Sequence, residues 1–150
     1  MDEDIRTAKR NDLSELLALY RYLNEGDPVL AEDDQLMMLW ESILQDPGQN
    51  YLVAEADGRI VSSCVMVVIR NLTRGASPYA LIENVVTHPN YRKRGIGTRL
   101  LKRAQEMARD MGCYKVMLLT GRKEAIAFYE NAGFVRGVKT GFISRFDELK

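Results

Sequence analysis

Arg92, Lys93 and Arg94 run directly into Gly95-Ile96-Gly97-Thr98. Within the 150-residue chain, these residue types at this spacing are the ones best suited to bind a charged ligand. The stretch follows an apolar run at residues 81–86 and opens a long amphipathic segment ending near Met111. Read as strand, turn and helix start, it presents the first amides of a helix. Those amides have no partner within the helix and sit at the positive end of its dipole. Gly95 and Gly97 carry no side chain, so a ligand can approach the backbone closely. With basic residues alongside, this is an anion-binding nest suited to a phosphate or pyrophosphate. The hexapeptide alone fits a glycine-rich helix start on a basic surface equally well, and its flanks must separate the two.

Neighbouring motifs are excluded by spacing. No G-x-x-x-x-G-K-[ST] loop is present, and the dinucleotide pattern G-x-G-x-x-G is not matched. The pattern is R-x-x-G-x-G, with Arg92, Gly95 and Gly97 at its fixed places. One histidine, His88, and two distant cysteines, Cys64 and Cys113, cannot make a standard zinc site, so no metal is expected. Both cysteines read as buried thiols rather than a disulfide. His88, in Thr87-His88-Pro89, reads as a structural residue of a loop leaving a strand.

The elements that must position the nest follow from periodicity. Residues 5–8 form a short first strand. Asn11 or Asp12 caps the next helix, with Asp12 and Glu15 spaced as a capping box. Leu13, Leu16, Leu17, Tyr20 and Leu23 give that helix one apolar stripe. A second helix is predicted over residues 33–45, with Leu36, Leu39, Trp40, Ile43 and Leu44 facing inward. Strands are predicted over residues 51–56, 59–69 and 79–86, the first two joined by the hairpin signal Asp57-Gly58. These three should form an antiparallel meander. The helix over residues 97–111 buries Leu100, Leu101, Ala104, Met107, Ala108 and Met111, and Gly112 stops it. A buried strand at 114–119 and a helix at 123–131 ending at Gly133 come next. A strand from Phe134, interrupted at Gly137, and a last strand at 141–146 complete the order. The fold class is therefore mixed α/β, a predominantly antiparallel sheet flanked by helices, as one domain over residues 1–150.

Composition narrows the function. Hydrophobic residues make up 46% and charged residues 28%, so disorder is not indicated. Basic and acidic residues balance at 21 each, which argues against a general nucleic-acid binder. The longest apolar run, residues 64–69, falls far short of the roughly 20 needed to span a membrane, so no membrane association is expected. Met1-Asp2-Glu3-Asp4 is acidic and unlike a signal peptide, from which a cytoplasmic location is expected.

Two separated segments resemble the GCN5-related N-acetyltransferase (GNAT) family. One is Glu83-Asn84-Val85-Val86-Thr87-His88-Pro89 running into Arg92-Lys93-Arg94-Gly95-Ile96-Gly97. The other is Ala127-Phe128-Tyr129-Glu130-Asn131-Ala132-Gly133-Phe134, similar to that family's [FL]-Y-x-x-x-G-F signature. The resemblance covers essentially the whole chain, most weakly over residues 1–50. It implies acetyl-coenzyme A as acyl donor, with its pyrophosphate on the amides of Lys93, Arg94, Gly95, Ile96, Gly97 and Thr98. The backbone of Val85, Val86 and Thr87 would pair with the pantetheine arm like an added strand. Arg92 and Arg99 add charge for the polyanion. Many relatives place an asparagine seven residues before the tyrosine to hold pantetheine; Arg122 stands there instead.

The implied reaction is attack of a primary amine on a thioester, without a metal. It calls for a neutral amine, a stabilised oxyanion and a protonated leaving thiolate. By the resemblance, Tyr129 is the general acid and Glu83 the base, directly or through water. The same residues fit structural readings, with Tyr129 packing beside Phe128 and Glu83 as a solvated strand residue. The Val86 amide is the expected oxyanion donor. A second function class is an acyl-coenzyme A sensor without turnover, against which the pairing of Tyr129 with Glu83 argues.

No basic residue lies between Arg21 and Arg59, where Glu25, Asp27, Glu32, Asp33, Asp34, Glu41 and Asp46 fall. An acidic rim there would attract a cationic small-molecule acceptor; the rival is that these residues cap and solvate helices. Homodimerisation through the last strands, common in relatives, stays open.

Overall fold

Asp57 and Gly58 take φ values of 54° and 74°, the left-handed pair that a two-residue type I′ hairpin requires. Around that turn, the computed structural model describes residues 3–147; the acidic start at Met1 and Asp2 lies outside them. In chain order the elements are β1 (Asp4–Thr7), α1 (Leu13–Tyr20), α2 (Asp34–Gln45), β2 (Gln49–Ala56), β3 (Arg59–Ile69), a single turn α3 (Thr73–Ala76), β4 (Tyr79–Thr87), α4 (Ile96–Asp110), β5 (Val116–Leu118) and α5 (Ile126–Asn131). The sheet order is β1-β2-β3-β4-β5. The first three pairings are antiparallel, as the predicted meander requires, and β5 joins β4 in parallel.

Each face of the sheet carries its own core. On one, Leu100, Leu101, Ala104 and Ala108 of α4 pack on Leu52, Cys64, Met66 and Ile82. The two alanines let the helix approach the sheet closely. On the other, Leu13, Leu16 and Leu19 of α1 and Trp40 of α2 pack on Val53, Ile60 and Val86. Each fully buried leucine contributes about 1.5–3 kcal/mol. No helix among the described residues is long and apolar enough to cross a membrane.

Several expectations are corrected. Asp12 does not cap α1 through its side chain; its carboxylate accepts the Lys9 amide at 2.6 Å and pairs with Arg6 at 2.7 Å. Leu23 lies beyond the end of α1. Leu39 and Met111 are exposed, because the helices turn those positions away from the sheet. β5 is three residues long and half exposed rather than a buried strand over 114–119. Cys113 is only half-buried, while both cysteines are free.

The strands predicted from Phe134 and over 141–146 do not form. Gly137 is left-handed at φ 82°, and Gly141 lies against Leu119, where a Cβ would approach Cδ2 to 2.6 Å. A strand needs a ladder partner, and β5 offers only three residues of edge. The tail therefore passes β5 irregularly, leaving Phe142, Ile143 and Phe146 exposed.

Candidate active site

Three backbone features meet where β4 runs toward α4. The first is a gap. β5 pairs with β4 only at Ala80, Leu81 and Ile82, so beyond Ile82 that edge of β4 has no strand beside it.

The second is a bulge. Asn84 takes φ 54°, and the register with β3 shifts between Ser63 and Val65. Asn84 and Val85 together oppose Cys64, the two-against-one arrangement of a β-bulge. The alternation is thereby reset: Ile82 and Val85 both face the α4 core, while Val86 packs into the α1 core.

The bulge also decides which amides are available. The His88 amide donates to the Val61 carbonyl at 2.7 Å, and the Val86 carbonyl accepts the Ser62 hydroxyl at 3.0 Å. In an antiparallel ladder alternate residues address the same neighbour. Val86 and His88 therefore address β3, and Val85 and Thr87 address the open edge. On this alternation the Val86 amide, expected as an oxyanion donor, is directed toward β3, and the Val85 amide toward the gap.

The third feature is the nest. Gly95 caps α4 in the left-handed region at φ 79° with no side chain closing the helix end. The first bond in the helix is Arg99 amide to Gly95 carbonyl at 3.0 Å, which leaves the amides of Ile96, Gly97 and Thr98 without helical acceptors. Lys93 is also left-handed, at φ 61°, the alternation that turns successive amides toward one side. Tyr91 anchors the loop from below: it is buried, and its hydroxyl donates to the Asp57 carboxylate at 2.7 Å. The guanidinium groups of Arg59 and Arg94 lie 5.1 and 4.9 Å from its ring centre. Arg92, Lys93 and Arg94 are exposed, with Arg92 Nε on the Thr87 carbonyl at 3.0 Å. Arg99 is turned back onto the Glu3 carboxylate and the Arg94 carbonyl.

The second motif sits beside the first. Gly133, left-handed at φ 101°, ends α5, and the Phe134 amide returns to the Tyr129 carbonyl at 3.1 Å. That return stands the Phe134 ring edge-on to Tyr129, 6.4 Å between centres. Burial raises the Tyr129 phenol above its ordinary range; Arg122 opposes the shift, and Cys64 and Glu83 add to it. At neutral pH the phenol therefore holds its proton, the state a general acid needs. Glu83 is exposed on β4, one residue before the bulge. His88 is structural, as expected: its Nδ1 accepts the Asn90 amide at 3.1 Å and caps the turn before Tyr91. Burial raises the Cys64 thiol to about 12, which keeps it inert.

A cleft of about 610 Å³ adjoins these features, lined by residues 22–27 of the α1–α2 connection together with Pro89, Arg92, Arg122 and Arg145. The acidic rim is reduced. Asp33 caps α2 through the Leu36 amide, Glu32 pairs with Ser14, Glu41 with Arg10, and Asp46 accepts the Gly48 amide. Of the seven acidic residues, only Glu25 and Asp27 line the cleft. Among the described residues no three His, Cys, Asp or Glu side chains group as metal ligands would.

Gap, bulge, amide nest and phenol thus gather around the end of β4 and the start of α4. The acetyltransferase (GNAT) family profile matches residues 11–134. The chain belongs to the GNAT family. It is thus an acetyl-coenzyme A-dependent N-acetyltransferase. It is 32% identical over 136 residues to the glucosamine 6-phosphate N-acetyltransferase of Trypanosoma brucei brucei, covering 89% of this chain and 90% of that protein. Identity to the thialysine N-epsilon-acetyltransferase of Sus scrofa is 30% over 144 residues, covering 86% and 82%. Among solved structures, a putative acetyltransferase from Agrobacterium tumefaciens str. C58 matches with a TM-score of 0.89 and 44% identity, over 95% of this chain and 99% of that one.

Sequence reasoning missed the conformation of Asn84 and the Ser62–Thr87 hydroxyl pair, 2.8 Å apart beneath the bulge. The first had a signal: Glu83-Asn84 breaks the apolar alternation of β4, and asparagine tolerates the left-handed region better than most residues. The second had none.

Proposed function

We propose that, in this GNAT acetyltransferase, residues 1–150 act as one domain. The pyrophosphate of acetyl-coenzyme A lies on the amides of Lys93, Arg94, Gly95, Ile96, Gly97 and Thr98, with Arg92 adding charge. The pantetheine arm runs along the open edge of β4, taking the backbone groups of Val85 and Thr87. The observation that carries this reading is the end of β4–β5 pairing at Ile82, two residues before the bulge on the strand that leads to the nest. An amide-bearing arm fills an open strand edge as an added strand would.

In the reaction, the neutral amine of a small-molecule acceptor attacks the thioester carbonyl. Negative charge develops on the carbonyl oxygen, and the Val85 amide, which faces the gap, is the donor placed to meet it. The C–S bond then breaks, and Tyr129 donates its proton to the departing sulfur. Glu83, exposed beside the gap, takes the proton from the amine directly or through water. No metal enters this scheme. The balanced charge fits a protein without nucleic-acid or membrane partners, and the two free thiols fit a cytoplasmic setting.

The test is thiol release from acetyl-coenzyme A on adding primary amines, followed across pH for the parent and Glu83→Gln. A base role gives a fall on the order of a hundredfold at neutral pH and loss of the acid limb. An unchanged profile sinks the role of Glu83.

The exposed apolar tail supports a homodimer through residues 134–147, burying Phe142 and Phe146 against a second copy. Sedimentation would read it: a monomer at micromolar concentration removes the dimer.

A further inference from the structure

The cleft beside the thioester site carries both signs of charge. Glu25 and Asp27 come from the α1–α2 connection, and neither side chain has an ion-pair partner among the described residues. Facing the same space are the guanidinium groups of Arg92, Arg122 and Arg145. Arg145 is already doubly bonded to Asp147, at 2.9 and 3.0 Å. Arg92 spends Nε on the Thr87 carbonyl and belongs to the nest. Arg122 stands apart from both.

Arg122 opens the turn that leads into α5, seven residues before Tyr129. Its Nη2 donates to the Leu23 carbonyl at 2.7 Å, which fixes the guanidinium across the mouth of the cleft. No protein acceptor among the described residues takes its other N–H groups. The turn it opens leads into α5, the helix that carries Tyr129, and its charge acts on that phenol. A guanidinium held by one neutral carbonyl, with the rest of its fork open to a cleft, is a receptor for a planar or tetrahedral oxyanion.

Resting on the acetyl-transfer reading above, we infer that the acceptor amine also carries an anionic group, a phosphate or a carboxylate, and that Arg122 binds that group. The acceptor then enters as an ion of both signs: its ammonium is drawn by Glu25 and Asp27, and its anion is held by Arg122. The cationic-acceptor reading of the acidic rim is thereby refined, because Arg122 sets a cation in the same cleft as Glu25 and Asp27. A simple polyamine would meet Arg122 with repulsion.

Two matched pairs of probes test this: glucosamine 6-phosphate against glucosamine, and lysine against cadaverine. Thiol release is measured for the parent, Arg122→Gln and Arg122→Ala. The glutamine removes the charge but keeps a polar side chain, and denaturant unfolding of both variants beside the parent reads any damage to the loop separately from turnover. The parent should prefer the anionic member of at least one pair by about tenfold or more in kcat/KM. Both variants should erase that preference through the KM of the acceptor and leave the KM of acetyl-coenzyme A within about twofold. The pair that responds identifies phosphate or carboxylate. Preference for the anion-free amines overturns the inference alone. So does a change confined to the KM of acetyl-coenzyme A, which would make Arg122 a cofactor residue. Silence from these probes and from a broad amine panel overturns the acetyl-transfer reading and this inference with it.

Discussion

The Cα of Gly97 lies against the ring of Phe128: a Cβ built there would sit 3.0 Å from both Cε1 and Cζ, and 3.3 Å from the Thr87 hydroxyl. The two motifs, about thirty residues apart in the chain, are therefore one piece of packing. The amide nest at the start of α4 rests on the residue next to Tyr129, and both rest on the end of β4. Gly97 is needed for this contact even before a ligand is considered.

Gly97→Ala should thus push α4 away from α5. Overpacking of a buried contact costs about 1–3 kcal/mol, which denaturant unfolding would read. The affinity for coenzyme A, measured by calorimetry, should fall with it, because the displaced amides are those proposed for the pyrophosphate. Full affinity in a destabilised variant would separate the packing role from the binding role.

Tyr129→Phe keeps the ring that packs on Phe134 and removes only the hydroxyl. Turnover should drop on the order of a hundredfold, with coenzyme A affinity unchanged. The pH profile carries a second readout. Burial raises the phenol above its ordinary value, so the acid form persists through neutral pH and is lost only at strongly alkaline pH. The parent should show a decline in kcat on that side, and the phenylalanine variant should lack it. A variant with parental turnover would remove Tyr129 from the mechanism.

Much of this arrangement was legible in the sequence because it depends on local chemistry. The hairpin at Asp57-Gly58 and the stop at Gly112 each follow from backbone geometry that few residue types tolerate. The nest was legible for the same reason. What was not legible is set by tertiary pairing. Nothing local states that β5 leaves β4 at Leu118, or that Val86 turns its amide to β3. The tail at 134–147 misled because its alternating Phe142, Ser144 and Phe146 have a strand's period without a partner edge in this chain. Asp12 misled because a capping box with Glu15 and an ion pair with Arg6 use the same carboxylate, and the ion pair is the one formed.

Asn84 offers a test of the bulge itself. Its φ of 54° is comfortable for glycine and tolerable for asparagine, but strained for a β-branched side chain. Asn84→Gly should keep stability and turnover close to parental. Asn84→Val should lose about 1–3 kcal/mol and, if it relaxes to regular strand, turn the Val85 amide out of the gap and depress kcat. Equal behaviour of the two variants would mean that the bulge has no part in catalysis.

The ion pair between Arg6 and Asp12 gives the chain a predictable acid weakness. Asp12 is 4% exposed and accepts Arg6 at 2.7 and 3.0 Å as well as the Lys9 amide. The Arg6 guanidinium holds its carboxyl below the ordinary value, outweighing burial, which acts in the opposite sense. A depressed pKa in the folded state means the contribution is complete above the unfolded carboxyl value near 3.8. It is lost as pH falls through the folded value. Asp12→Asn should therefore be destabilised by about 2 kcal/mol at pH 7, and the gap to the parent should narrow as the pH is taken below the unfolded value. Urea unfolding of both proteins across that range reads the difference directly. A gap independent of pH would assign the role of Asp12 to shape rather than charge.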